Sequence, residues 1–139
     1  MKSPDKYGTI TVLTDSEISN LKKIEITTYR KDGDYSDQRH PDEVQFTTSL
    51  EEDLARRDFT VNAMAYDGET IVDLYGGQKD LEAKLIRAVG DPRERFSEDA
   101  LRIMRAVRFS ADLGFDIEEE TYEAVKEKSD SIRRVSWDR

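Results

Sequence analysis

Three groups of residues in this sequence have types and spacings that can do chemistry. Adjacent guanidiniums open the run Arg56-Arg57-Asp58-Phe59-Thr60-Val61-Asn62-Ala63, and arginine's planar fork donates several charge-assisted hydrogen bonds to a polyanionic phosphate. The same pair has an ordinary reading, in which it compensates a helix C-terminus and bridges to Glu52 or Asp53. The second group is Glu98-Asp99-x-x-Arg102-x-x-Arg105-x-x-Arg108. Asp99 and Arg102, three apart on a helix, lie side by side and offer a carboxylate acceptor next to a guanidinium donor. Such a pair fits two base edges: the acid accepts from the exocyclic amine of cytosine or adenine, and the arginine donates to the ring nitrogen and to the cytosine carbonyl. Guanine and uracil present a carbonyl where the amine should be, which strands polar groups against one another. The ordinary reading here is a solvated helix face laced with i, i+4 pairs such as Glu98 with Arg102. The third group is residues 23–30, KIEITTYR, where Glu25, Thr27 and Tyr29 share one face of a strand. A strand carboxylate can join a Mg²⁺ site, but phosphoryl-transfer sites hold their ions with at least two carboxylates in reach. The single His40 falls in a polar stretch and is assigned no role.

The elements that must position these groups follow from periodicity and punctuation. Residues 8–13 (GTITVL) and 23–29 (KIEITTY) are β-branched runs of strand length. The intervening TDSEISN supplies turn residues over a short gap, which predicts an antiparallel pair. Residues 30–45, RKDGDYSDQRHPDEVQ, have too little to bury to offset the entropy of ordering and read as a mobile loop. A loop that long inside a domain is either disordered or functional. Ser49 with Glu52 has capping-box spacing, so SLEEDLARRD predicts a helix. FTVNAMAYD, residues 59–67, suits a buried helical turn or a strand, and the helical turn is the expectation. A short strand is expected at residues 70–75, closed by Gly76 and Gly77, then a short helix running into a strand that stops at Gly90 and Pro92. Residues 97–113 predict a helix capped by Ser97 and ended by Gly114. Leu101, Ile103, Met104, Val107 and Ala111 form its packing arc, with Glu98, Arg102 and Arg105 opposite. A last helix is expected near residues 118–128.

Composition bounds what these elements can serve. A length of 139 residues suits one domain or a piece of one. With 38% charged residues and a net charge of −9, the overall field repels nucleic acid, so any such role needs a local basic cluster. No cysteine and a single histidine exclude a disulfide framework and a thiolate metal site and nearly exclude histidine-based metal or triad chemistry. That fits a reducing cytoplasm. No apolar run approaches the roughly 18 residues of a membrane span, and MKSPDKYGT lacks the apolar stretch of a signal peptide.

In order along the chain, EITTYRKDGDYSDQRHPDEVQF, EEDLARRDFTVNAMAYD and IVDLYGGQKDLEAKLIRAVGDPRERFSEDALRIMRAVRF resemble the class II tRNA nucleotidyltransferase and bacterial poly(A) polymerase family, specifically the bacterial CCA-adding enzymes. The resemblance implies an α+β fold: a partial polymerase-β-like nucleotidyltransferase head with a small mixed or antiparallel sheet, followed by neck helices. It divides the chain into a head remnant over residues 1–75, with a flexible loop at 30–45, and a hinge and start of neck over 76–139. RRDFTxNA matches motif B, whose second arginine, Arg57, contacts the nucleotide. EDxxRxxR matches motif D, in which Asp99 and Arg102 act as a protein template for CTP and ATP, with Arg105 and Arg108 as further nucleotide contacts. Glu25 is implied to assist near the metals. The reaction implied is attack of the tRNA 3′-hydroxyl on the α-phosphorus of CTP or ATP, with pyrophosphate leaving and Mg²⁺ assisting. The family's motif A, Gly-Gly-x-x-Arg-Asp followed by Asp-x-Asp, is not found ahead of residue 8, so the principal Mg²⁺ ligands are missing, and the chain is expected to be a fragment inactive alone. The alternatives are a poly(A) polymerase of the same family, or a nucleotide- or partner-binding remnant. The latter would work through self-association or a complementing chain at its open sheet edge.

Overall fold

The computed structural model of the protein describes residues 8–33 and 44–134. Antiparallel pairing opens the described chain: β1 (Thr9–Leu13) and β2 (Lys23–Thr27) run from Thr9 opposite Thr27 to Leu13 opposite Lys23. The β-branched runs thus form the expected pair, and every residue of β2 is exposed. β3 (Arg30–Asp32) pairs antiparallel with β4 (Val44–Phe46). The two ends of the stretch expected to be loop are therefore a ladder, while residues 34–43, His40 among them, lie outside the described residues. α1 (Leu50–Ala55) begins where the Ser49 hydroxyl accepts from the Glu52 N–H at 3.2 Å, as the capping spacing predicts. Glu52 itself accepts from the Thr47 hydroxyl.

The expectation of a helical turn over residues 59–67 is only partly met. Thr60–Asn62 form a single 3-10 turn, and the chain then enters β5 (Met64–Tyr66), which pairs antiparallel with β6 (Ile71–Asp73). The cause lies in the partners of the backbone. Phe59 is extended and bridges to Ala88, Thr60 N–H donates to the Arg87 carbonyl at 2.9 Å, and Val89 N–H donates to the Asp58 carbonyl at 2.9 Å. A helix through Phe59 would give up these bonds.

α2 (Gly77–Ala83) runs into β7 (Leu85–Ile86), which pairs in parallel with β8 (Asp116–Ile117). At Gly77 an added Cβ would stand 2.3 Å from the Thr60 carbonyl oxygen, so only glycine lets α2 approach the 3-10 turn. The Thr60 hydroxyl donates to Asp80 at 2.7 Å and secures the same contact.

Residues 97–113 are not one helix. α3 (Pro92–Glu98) is capped by Asp91, which accepts from Arg93 N–H at 2.8 Å, and α4 (Leu101–Leu113) follows a break at Asp99. Ser97 lies inside α3 and donates to the Arg93 carbonyl at 2.7 Å instead of capping. Asp99 is extended, and its carboxylate accepts from the Leu101 N–H at 2.9 Å, which gives the backbone an alternative to a continuous helical ladder. The packing arc is turned as well: Ile103 and Ala106 are buried together with Arg102, whereas Met104 and Val107 are about half exposed. α4 faces β7 and β8, which draws this side inward. Gly114 ends α4 in the left-handed region, and α5 (Glu119–Lys128) starts at Glu118, both as expected.

One buried cluster joins Phe59, Ile86, Phe96, Ile103, Ala106 and Ala124. It draws on the segment after α1 and on α3, α4 and α5, so residues far apart in sequence share one core. The architecture among the described residues is small two-stranded ribbons, three antiparallel and one parallel, packed with five helices, in keeping with the α+β expectation.

Candidate functional site

The core places the end of α1 against the start of α4, and an open cleft of about 500 Å³ lies between them. Arg56, Arg57, Asp58, Asn62, Asp99, Arg102, Arg105 and Phe109 line it. Four guanidiniums against two carboxylates make its walls cationic in a chain whose net charge is −9. The volume suits a small-molecule ligand with a few convergent polar groups.

Each arginine is held by an acid or a carbonyl. Arg56 donates from Nη2 to Asp53 Oδ1 at 2.8 Å, and Arg57 donates from Nη2 to Asp53 Oδ2 at 3.0 Å. Asp53 is 1% exposed. Burial pushes its carboxyl up, but the hydrogen bonds from Arg56, Arg57 and the Arg30 N–H outweigh burial and hold it below the ordinary carboxylate range. Arg102, 7% exposed, donates from Nη1 to Glu98 Oε2 at 2.6 Å and to the Arg95 carbonyl at 3.3 Å, and from Nη2 to the Arg56 carbonyl at 2.9 Å. Arg105 donates from Nε to Asp58 Oδ2 at 2.6 Å and lies over the Phe109 ring, 5.0 Å from its centroid.

Of the residues singled out in the sequence, Arg57, Asp99, Arg102 and Arg105 are brought to one cleft. Arg108 and Glu25 are not among its lining residues. Arg108 is exposed, 3.8 Å from Asp112 and over Phe109 at 5.3 Å. Glu25 stands exposed on β2 opposite Thr11. The ordinary readings hold: Asp53 pairs with Arg56 and Arg57, and Glu98 pairs with Arg102. Three lining residues were assigned no individual role from the sequence: Asp58 and Asn62, which lie within the Arg56–Ala63 run, and Phe109. Asp58 had a signal, an acid directly ahead of an apolar run. It accepts from the Phe59 N–H at 2.9 Å and from the Asn62 amide at 3.3 Å as well as from Arg105.

The fold that carries this cleft is that of a known family of head domains. Residues 1–87 match the poly A polymerase head domain family, and the chain belongs to it. Among known proteins it is 50% identical over 136 residues to the CCA-adding enzyme of Lactobacillus helveticus, and 50% identical over 136 residues to that of Bacillus subtilis. Either match covers 96% of this chain and 33% of the relative, so the chain spans about a third of the length of these proteins. The crystal structure of the Bacillus stearothermophilus CCA-adding enzyme in complex with CTP matches with a TM-score of 0.81 at 42% identity, over 94% of this chain and 30% of that one. A tRNA nucleotidyltransferase complexed with a primer tRNA and an incoming ATP analog matches with a TM-score of 0.69 at 34% identity, over 91% of this chain and 33% of that one.

Proposed function

We propose that this chain is the base-selecting part of a CCA-adding nucleotidyltransferase, taking CTP and ATP for transfer to a tRNA 3′ end in the cytoplasm. Its head would span residues 1–75 and its hinge and neck would begin at residue 76. Asp99 and Arg102 read the base, while Arg57 and Arg105 orient ribose or phosphates; exposed Arg108 is assigned a more peripheral nucleotide contact. The observation that carries this reading is that Asp99 and Arg102 line the same cleft as Arg57 and Arg105, although α1 and α4 are far apart in sequence. An acid and a guanidinium at the edge of a cationic cleft supply the acceptor and donor that cytosine and adenine share.

The Mg²⁺ that this chemistry uses elsewhere has no fit among the described residues: they contain no group of three or more His, Cys, Asp or Glu that could hold a metal. Glu25 alone does not make a two-carboxylate site. The reading for this chain therefore rests on nucleotide recognition and takes no step through the ion. Among the described residues no helix is long and apolar enough to cross a membrane.

Calorimetry with CTP, ATP, GTP and UTP, repeated on Asp99→Ala, tests the proposal. CTP and ATP are expected to bind about ten- to a hundredfold more tightly than GTP and UTP, with the preference lost in the variant. Equal weak binding of all four refutes it. A second reading rests on a separate observation: Leu13, Ile24 and Ile26 on the β1–β2 ribbon are 73%, 44% and 57% exposed, so the ribbon offers apolar side chains and open edges to a second copy or a complementing chain. Sedimentation that shows a monomer at all concentrations removes self-association.

A further inference from the structure

Asp53 is the one fully buried acid in α1, and its two oxygens are divided between two tasks. Oδ1 accepts from Arg56 Nη2 at 2.8 Å, from Arg56 Nε at 3.1 Å and from the Arg30 N–H of β3 at 3.2 Å. Oδ2 accepts from Arg57 Nη2 at 3.0 Å. Arg57 has little else to orient it: Nη1 reaches the Asn62 carbonyl at 3.4 Å, a long bond, and Nε meets no acceptor among the described residues. Yet Arg57 lines the cleft with its side chain 37% exposed. A cleft that relied on positive charge alone would gain nothing from a carboxylate behind that arginine. The acid lowers the local potential while it fixes the fork.

Resting on the nucleotide reading above, we infer that Asp53 is a positioning residue: it acts through Arg57, holding its guanidinium in the orientation that meets the nucleotide. Through Oδ1 it also ties that orientation to the first residue of β3. Replacing the carboxylate with an amide has two effects of opposite sign. The lost negative charge strengthens attraction for a triphosphate, and the lost charge-assisted bond loosens the fork and weakens binding. The geometry points to the second as the larger, because the bond to Oδ2 is the shortest that Arg57 makes.

The test is a double-mutant cycle on CTP affinity, by calorimetry, with wild type, Asp53→Asn, Arg57→Ala and the double variant, each checked by thermal melting. Asp53→Asn is expected to weaken CTP binding about tenfold. In the Arg57→Ala background the same change is expected to shift affinity by less than about twofold, because the group it acts through is gone. A purely structural Asp53 would instead give effects that add. Wild-type or tighter binding by Asp53→Asn, or additivity, overturns the inference alone, whereas a wild-type chain that binds no CTP overturns the nucleotide reading and this inference with it. Should Asp53→Asn fail to fold, NMR of the wild type without nucleotide decides. Slowed exchange of the Arg57 Nη protons supports the anchor, and free exchange overturns it.

Discussion

Arg102→Ala separates what the cleft needs for its shape from what it needs for recognition. The guanidinium is 7% exposed and donates to the Arg56 carbonyl at 2.9 Å, to the Arg95 carbonyl at 3.3 Å and to Glu98 at 2.6 Å. Two bonds to backbone carbonyls contribute about 1 kcal/mol each. The pair with Glu98 adds about 1 kcal/mol or less, because the Glu98 side chain is 27% exposed and keeps Arg95 as a partner at 2.7 Å. The expected loss is about 2–3 kcal/mol, or about 6–10 °C in melting temperature for a chain of this length. Asp99→Ala gives up the acceptor for the Leu101 N–H, at about 1 kcal/mol, a cost like that of a lost cap. Thermal melts with urea titrations at one pH read both values, and CTP calorimetry on the same samples reads recognition. The two variants are expected to lose CTP preference alike but to differ in stability. If Arg102→Ala melts within about 2 °C of wild type, the guanidinium is not bonded into the wall of the cleft, and the placement of the pair is wrong.

Gly77→Ala is expected to cost about 1–3 kcal/mol of stability, read as a lower urea midpoint, since the new methyl would meet the Thr60 carbonyl oxygen at 2.3 Å; an unchanged midpoint would show that α2 does not press on the turn. Acid should destabilise the chain through Asp53, Asp73 and Glu118. In each, burial raises the carboxyl but hydrogen bonds outweigh it, from arginines and an N–H at Asp53 and chiefly from backbone N–H groups at the other two. A carboxyl lowered in the folded state contributes stability that is complete above the ordinary carboxylate range and is lost as pH falls through that range and below it. Urea titrations from neutral to acid pH should therefore show a plateau and then a decline, and stability that rises on acidification contradicts the bonding described.

The strands were legible where one physical signal dominated. The β-branched runs around Ile10 and Ile24 have no competing pattern, and the Ser49 and Glu118 starts obey local capping chemistry that needs no tertiary partner. What the sequence did not disclose depended on distant partners. FTVNAMAYD has apolar residues at both spacings, and its conformation is decided by bonds to Arg87 and Val89. The break at Asp99 is a competition between a side chain and the helical ladder, which periodicity does not register. The turned face of α4, drawn inward by β7 and β8, also carries Arg102, a residue whose charge argues for solvent until its carbonyl partners on α3 and after α1 are known. The candidate pair was legible as residue types, but for a different reason than the one that places it: Asp99 and Arg102 do not share a helix, and the break between α3 and α4 sets Asp99 at the cleft.

The charge of the chain and the charge of the cleft then make one argument. A net charge of −9 gives the molecule a field that repels polyanions at range, but that field is screened over about 8 Å at physiological ionic strength. Four guanidiniums line the one cleft, and each is fixed in direction by Asp53, Glu98, Asp58 or a backbone carbonyl. Affinity there cannot come from an excess of loose positive charge, because the acids that pin the arginines also cancel part of it. Under the proposed reading it has to come from donors already set in place, which would lose little freedom if a nucleotide bound there. Recognition built in this way would discriminate by hydrogen-bond geometry more than by charge, which is what the proposed selection between bases of equal charge requires.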